Sequence, residues 1–132
     1  MLSTERARAL ARSLAWGRIA LGTAALVVPG LPGWLFSGSD ARLPANQALS
    51  RAMGGRDLSL GLGAVLAMRH DAPARGWIEA GALADAADVL ATVLAWRELP
   101  RWGRLAIVLL ASSGMAGGVV AARTMEPRAM AH

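Results

Sequence analysis

The 132-residue chain contains no cysteine, no lysine and no tyrosine. Without cysteine there is no disulfide framework, no thiolate metal site and no cysteine nucleophile. Without lysine all 14 basic residues are arginine, which GC-rich coding accounts for most simply. Charge is scarce: 17% of residues are charged, against roughly 25% in a typical soluble chain. What is abundant is apolar surface, 55% of residues, with a mean hydropathy of +0.40. That content excludes disorder, and the 15 glycines have no collagen period. A chain of this length is one domain, and a small soluble domain needs more polar cover than this one has. The composition points to a small helical membrane protein.

The net charge of +5 raises the question of nucleic acid. The arginines form no patch. Apart from Arg18 they fall in groups at 6, 8, 12, at 42, 51, 56, at 69, 75, at 97, 101, 104 and at 123, 128, separated mostly by apolar stretches. A polytopic membrane protein is punctuated in this way, so no nucleic-acid partner is expected.

Four helices are predicted, at about 5–30, 44–69, 76–97 and 102–123, followed by a flexible tail over 124–132. Ile19 to Phe36 carries no charge, and Pro29, Gly30, Pro32 and Gly33 should end the first helix. Trp16 and Trp34 fit opposite membrane interfaces. Leu58 to Met68 is too short to cross ~30 Å of hydrocarbon, but extension back to Pro44, a good first-turn residue, makes it long enough. Trp77 and Trp96 bracket the third helix as interfacial anchors. Leu105 to Ala122 is uncharged and the cleanest span. Short connections make consecutive helices antiparallel neighbours. The expected fold is all-α: an integral-membrane, up-down-up-down four-helix bundle, multi-pass in the lipid bilayer.

An even number of spans puts both termini on one side. That side carries seven arginines (6, 8, 12, 69, 75, 123, 128) against five (42, 51, 97, 101, 104). The positive-inside rule places the termini in the cytoplasm.

In lipid, helices associate through small residues and polar contacts. The fourth helix offers Ser113-x-x-x-Gly117-x-x-x-Ala121 and Gly114-x-x-x-Gly118-x-x-x-Ala122. The second offers Gly54, Gly61 and Ala64, and the first Ser13-x-x-x-Gly17. Packing within one chain is the plain reading. A homo-oligomer through Ser113, Gly114, Gly117 and Gly118 is the sharper one.

Five charged residues fall deep inside the predicted spans, Arg18, Arg56, Asp57, Asp85 and Asp88, while Glu79 lies nearer the interface. At 1.5 Å per residue all five lie roughly 12–20 Å from the same surface. Charges at such depth face the interior and pair. Asp85 and Asp88, at i, i+3, share a helix face, while Arg56 and Asp57 point about 100° apart. Three carboxylates face two guanidinium groups. One use of such a network is to fix helix register. Another is a polar pocket that binds a small lipophilic ligand. A third is a membrane enzyme of isomerase or cyclase type, in which Asp85 or Asp88, with Asp57 as a further catalytic candidate, is the general acid/base. A small oligomeric proton-coupled transporter is the fourth.

Other signals are weak. Gly61-Leu62-Gly63 lacks the strand and the Lys-Ser/Thr ending of a phosphate loop. His70 and His132 have no second ligand at i+3 or i+4, so neither a metal nor a cofactor is expected. Ser112 and Ser113 suit hydrogen bonds to helix carbonyls.

The stretch Arg51-Ala-Met-Gly-Gly-Arg56-Asp57-Leu58-Ser-Leu60-Gly61 resembles a pattern of small, uncharacterised four-helix bacterial membrane proteins. In those, Arg-x-x-Gly-x-Arg-Asp-Leu-x-Leu-Gly precedes a helix with one or two Asp. Here Gly81-Ala-Leu-Ala-Asp85-Ala-Ala-Asp88 fills the second role, and Arg18-x-x-x-Gly22 with Pro29 resembles their first helix. The resemblance implies four helices, Arg/Asp pairing and a bacterial inner-membrane location. It implies no activity, because that family is one of unknown function.

Overall fold

The computed structural model describes residues 3–125, which form five α-helices, one 3-10 turn and no strand. Helix α1 spans Thr4–Val27, α2 Gly30–Ser37, α3 Pro44–Arg69, α4 Arg75–Leu94 and α5 Arg101–Thr124. Most of the expected tail lies outside the described residues.

Local chemistry sets the boundaries. The Ser3 hydroxyl caps α1 by accepting from the Arg6 N–H at 3.3 Å, and Glu5 sits in the first turn, where the helix dipole favours an anion. Val28 precedes Pro29 and is pushed out of helical geometry, so α1 stops at Val27. The expected single helix over 5–30 is therefore corrected. Pro29 and Pro32 break one helix but suit the start of the next, where the missing N–H groups have no intrahelical use. The segment Gly30–Arg42 departs from α1 at 92°. Gly38, at φ +54°, ends α2 in a conformation only glycine adopts freely, and the 3-10 turn Gly38–Arg42 leads to Pro44 at the first position of α3. Helix α3 ends in a Schellman-type closure. Asp71 takes φ +51° and the Ala72 N–H donates to the Ala67 carbonyl at 2.8 Å. Helix α4 ends at Leu94, short of the expected position 97, and turns carry the chain through Trp96 to Pro100, which caps α5.

The helices meet through small residues. Helix α1 packs most extensively on α3, and α4 on α5. Gly61 rests on the Ala15 carbonyl, while Gly54 rests on Ala25 and Gly22, so residue numbers rise along α1 as they fall along α3. Likewise Gly118 meets Ala82 and Gly114 meets Asp85 between α5 and α4. The Trp77 indole lies on Gly63, seating the start of α4 on α3. Ser13-x-x-x-Gly17 has no such role: Gly17 has nothing within 4 Å, because it is on the outer side of α1, and Gly22 carries the seam instead. Short helix α2 docks at the start of α5. There Trp34 stacks on Trp102 at 3.5 Å and the Leu35 carbonyl sits against Gly103.

The interior holds mainly alanine, including Ala7, Ala11, Ala15, Ala64, Ala121 and Ala122, and among the described residues no large side chain is fully buried. Val65, Ile78 and Ile107 are buried among the alanines, but most leucines point outward: Leu83 is 72% exposed, Leu94 79% and Leu109 68%. Among the described residues, helix α5 alone is long and apolar enough to cross a membrane by itself, with a mean hydropathy of 2.0; α1 joined to its bent continuation passes as a second. Helices α3 and α4 carry the central charges, which lower their hydropathy.

Candidate functional site

In the middle stretches of the long helices charge is rare. Positions 13–28 hold Arg18, 52–68 hold Arg56 and Asp57, 80–96 hold Asp85 and Asp88, and 105–122 hold none. All five of these side chains join into one chain of ion pairs, ordered Asp85–Arg18–Asp57–Arg56–Asp88.

Arg18 is its hub. On α1 it lies four residues before Gly22 and three after Ala15, on the face that meets α3. Its Nη1 donates to Asp57 Oδ1 at 2.8 Å, and its Nη2 donates to Asp85 Oδ2 at 2.5 Å and to the Gly81 carbonyl at 2.6 Å. One guanidinium thus ties α1 to α3 and to α4. The planar fork makes this possible; a lysine ammonium has no such fixed geometry. Adjacent Arg56 and Asp57 diverge around α3, Asp57 toward Arg18 and Arg56 toward α4. Arg56 grips Asp88 with both Nη atoms, at 2.8 and 2.7 Å, and touches Asp57 at 3.4 Å. Paired donors on one carboxylate are the strong form of this contact. The Arg56 Nε is buried without a partner among the described residues.

Two glycines complete the site. The Arg18 guanidinium lies over Gly81, where an added Cβ would come within 2.9 Å of Nε. The Asp85 carboxylate lies on Gly114, where an added Cβ would overlap Oδ2. Gly81 is one turn before Asp85 on the same face, the only cue to it in the sequence. Gly114 and Gly118 face α4 of their own chain, and Gly117 faces Leu14 of α1. Ser113 is exposed and its hydroxyl donates to the Leu109 carbonyl at 2.7 Å.

The network sits deep. Its members are 10–14 residues from the helix ends Thr4, Arg69 and Arg75, or about 15–21 Å at 1.5 Å per residue. The cavity beside Arg18, between Leu14, Leu60 and Trp77, measures about 10 Å³, room for one water. Among the described residues no group of His, Asp and Glu is placed to hold a metal. Every interior carboxylate therefore has a guanidinium partner, and the space around the hub is filled.

Replacing Asp88 with Asn is expected to do moderate damage. Arg56 keeps the 3.4 Å contact to Asp57, and the asparagine amide oxygen still accepts one of the two Nη–H bonds, so part of the contact survives. The expected cost is about 1–2 kcal/mol in a detergent unfolding titration; no measurable change would show that the Arg56–Asp88 pair holds nothing.

The chain matches no protein-family model, no curated protein and no solved structure.

Proposed function

We propose that the chain is a small multi-pass protein of a bacterial inner membrane, in which α1, α3, α4 and α5 run up-down-up-down through the bilayer. Its Arg/Asp network acts as an internal latch that organises the helices, without catalysis. One observation carries this reading. The five charges of the middle stretches pair only with one another, while many large apolar side chains, leucines above all, face outward. Water would favour the opposite arrangement. In lipid, outward leucine costs nothing, small residues bring backbones together, and interior charge must be paired. The latch also lets α3 and α4 span although neither is apolar enough to do so alone, since their charges are satisfied inside. The arginine count at the two ends orients the termini to the cytoplasm, and the resemblance of Arg51–Gly61 to small four-helix membrane proteins agrees.

The single-water cavity beside Arg18 favours organisation over the other readings: a lipophilic ligand, acid/base catalysis at Asp57, Asp85 or Asp88, and proton carriage. Gly114 and Gly118 are used within the chain, which leaves the exposed side of α5, including Ser113, as the surface for a homo-oligomer.

The absence of cysteine makes the test clean. Single cysteines at Leu83, Leu90 and Leu109 are expected to resist a water-soluble maleimide in intact membranes. Cysteines at Arg42 and His70 are expected to react, and the protein to stay in the membrane fraction through an alkaline wash. Full reaction at all five positions, or release by the wash, overturns the proposal.

A further inference from the structure

We propose that the groove between the start of α1 and the end of α3 binds the phosphate group of an anionic membrane lipid; this rests on the membrane reading above. The groove is open, measures about 330 Å³, and is lined by Arg12, Trp16, Val65, Met68 and Arg69. Arg12 and Arg69 are exposed, and among the described residues neither makes an ion pair. Two guanidinium groups facing one groove without a carboxylate repel each other until an anion joins them.

The lining is ordered along the helix axes. Arg12 and Trp16 stand at i, i+4 on α1, and Val65 and Arg69 at i, i+4 on α3, so each pair shares a face. On both helices the cation lies toward the end and the apolar side chain toward the middle. A lipid presents the same sequence, phosphate outside and glycerol and acyl carbons inside. Arginine forks match phosphate oxygens two at a time. The half-exposed Trp16 indole suits the boundary between headgroups and hydrocarbon. With the network at the bilayer centre, Arg69 lies twelve residues outward from Asp57, about 18 Å and past the ~15 Å half-thickness of the hydrocarbon, and Arg12 lies six from Arg18, about 9 Å, a depth from which an arginine side chain snorkels to the headgroups. The apolar floor argues for a lipid over free phosphate, which has no use for Trp16, Val65 and Met68.

The experiment uses the full chain in a neutral detergent and measures retained lipid by native mass spectrometry. The probes are phosphatidylglycerol, phosphatidylcholine and inorganic phosphate. Wild type is expected to prefer phosphatidylglycerol, and R12Q/R69Q to lose that preference by roughly tenfold or more. R6Q/R8Q, with the same charge change at the same end, is expected to keep it. Equal retention of the two lipids by wild type, or equal loss in both double variants, overturns the proposal. Displacement of phosphatidylglycerol by millimolar inorganic phosphate overturns the lipid assignment. The alkaline wash reports on the membrane reading separately, so a protein that stays in the membrane yet shows no lipid preference loses this site alone.

Discussion

Replacing Arg18 with Gln is expected to abolish the folded protein. The substitution removes three bonds at once, to Asp57 at 2.8 Å, to Asp85 at 2.5 Å and to the Gly81 carbonyl at 2.6 Å. Asp57 keeps a distant contact with Arg56, but Asp85 has no second cation. The carboxylate side chains are 20% and 12% exposed and lie in the middle of their helices, so nothing at that depth replaces the guanidinium. Removing one partner of a buried ion pair costs about 3–5 kcal/mol. Small domains have about 5–15 kcal/mol of stability in all, so the expected readout is loss of the monodisperse detergent-solubilised species. A second variant tells a latch from a reactive site. Arg18→Met with Asp57→Asn and Asp85→Asn removes the hub and both carboxylates that depend on it, leaving Arg56 and Asp88 to neutralise each other. Buried ion pairs replaced as a set are often tolerated, so this triple variant is expected to regain most of the folded yield. If R18Q is as stable as wild type, or the triple variant no better than R18Q, the latch is refuted. A triple variant that folds but loses a cellular phenotype would assign the carboxylates a role beyond structure.

The position of the network was legible because helical rise converts residue number into depth. Arg18, Arg56, Asp57, Asp85 and Asp88 fall at one level once Pro44 is accepted as the start of a helix. Depth alone does not assign partners. Two cations and three carboxylates allow several pairings, and the choice depends on which way α3 is rotated. The divergence of Arg56 and Asp57 narrows it, and contact with the α1 seam at Gly54 and Gly61 settles the rotation. The bend after Val27 was half legible. Pro29 marks a break, but whether the chain then ends, turns or starts a new helix depends on Trp102 and Gly103, about seventy residues later, which stack on Trp34 and receive the Leu35 carbonyl. Gly114 illustrates an ambiguity of sequences rich in small residues. A small residue repeated at i+4 says that something comes close, and only the folded chain shows that it is the carboxylate of Asp85.

Gly54→Leu should damage the fold nearly as much as loss of Arg18, by a different route. At Gly54 the backbones of α1 and α3 touch: an added Cβ would lie 2.6 Å from the Ala25 Cβ and 2.8 Å from the Gly22 carbonyl oxygen. Neither neighbour is a flexible side-chain end, so the helices must separate. Forcing carbon into a close-packed seam costs about 1–3 kcal/mol. Here the cost spreads, because Gly54 lies one turn from Asp57, and parting the helices stretches the Arg18–Asp57 bond that crosses the same seam. The combined loss is expected to be about 3 kcal/mol or more. Gly55→Leu is the matched control. It adds the same side chain one residue away, with the same gain of helix propensity of about 1 kcal/mol, into a place with nothing within 4 Å. Detergent unfolding of the two variants side by side therefore isolates the contact. Gly55→Leu should equal or exceed wild type, while Gly54→Leu should unfold early. Two indistinguishable unfolding curves would mean that α1 and α3 do not meet at Gly54, and that the route by which Arg18 reaches Asp57 is different.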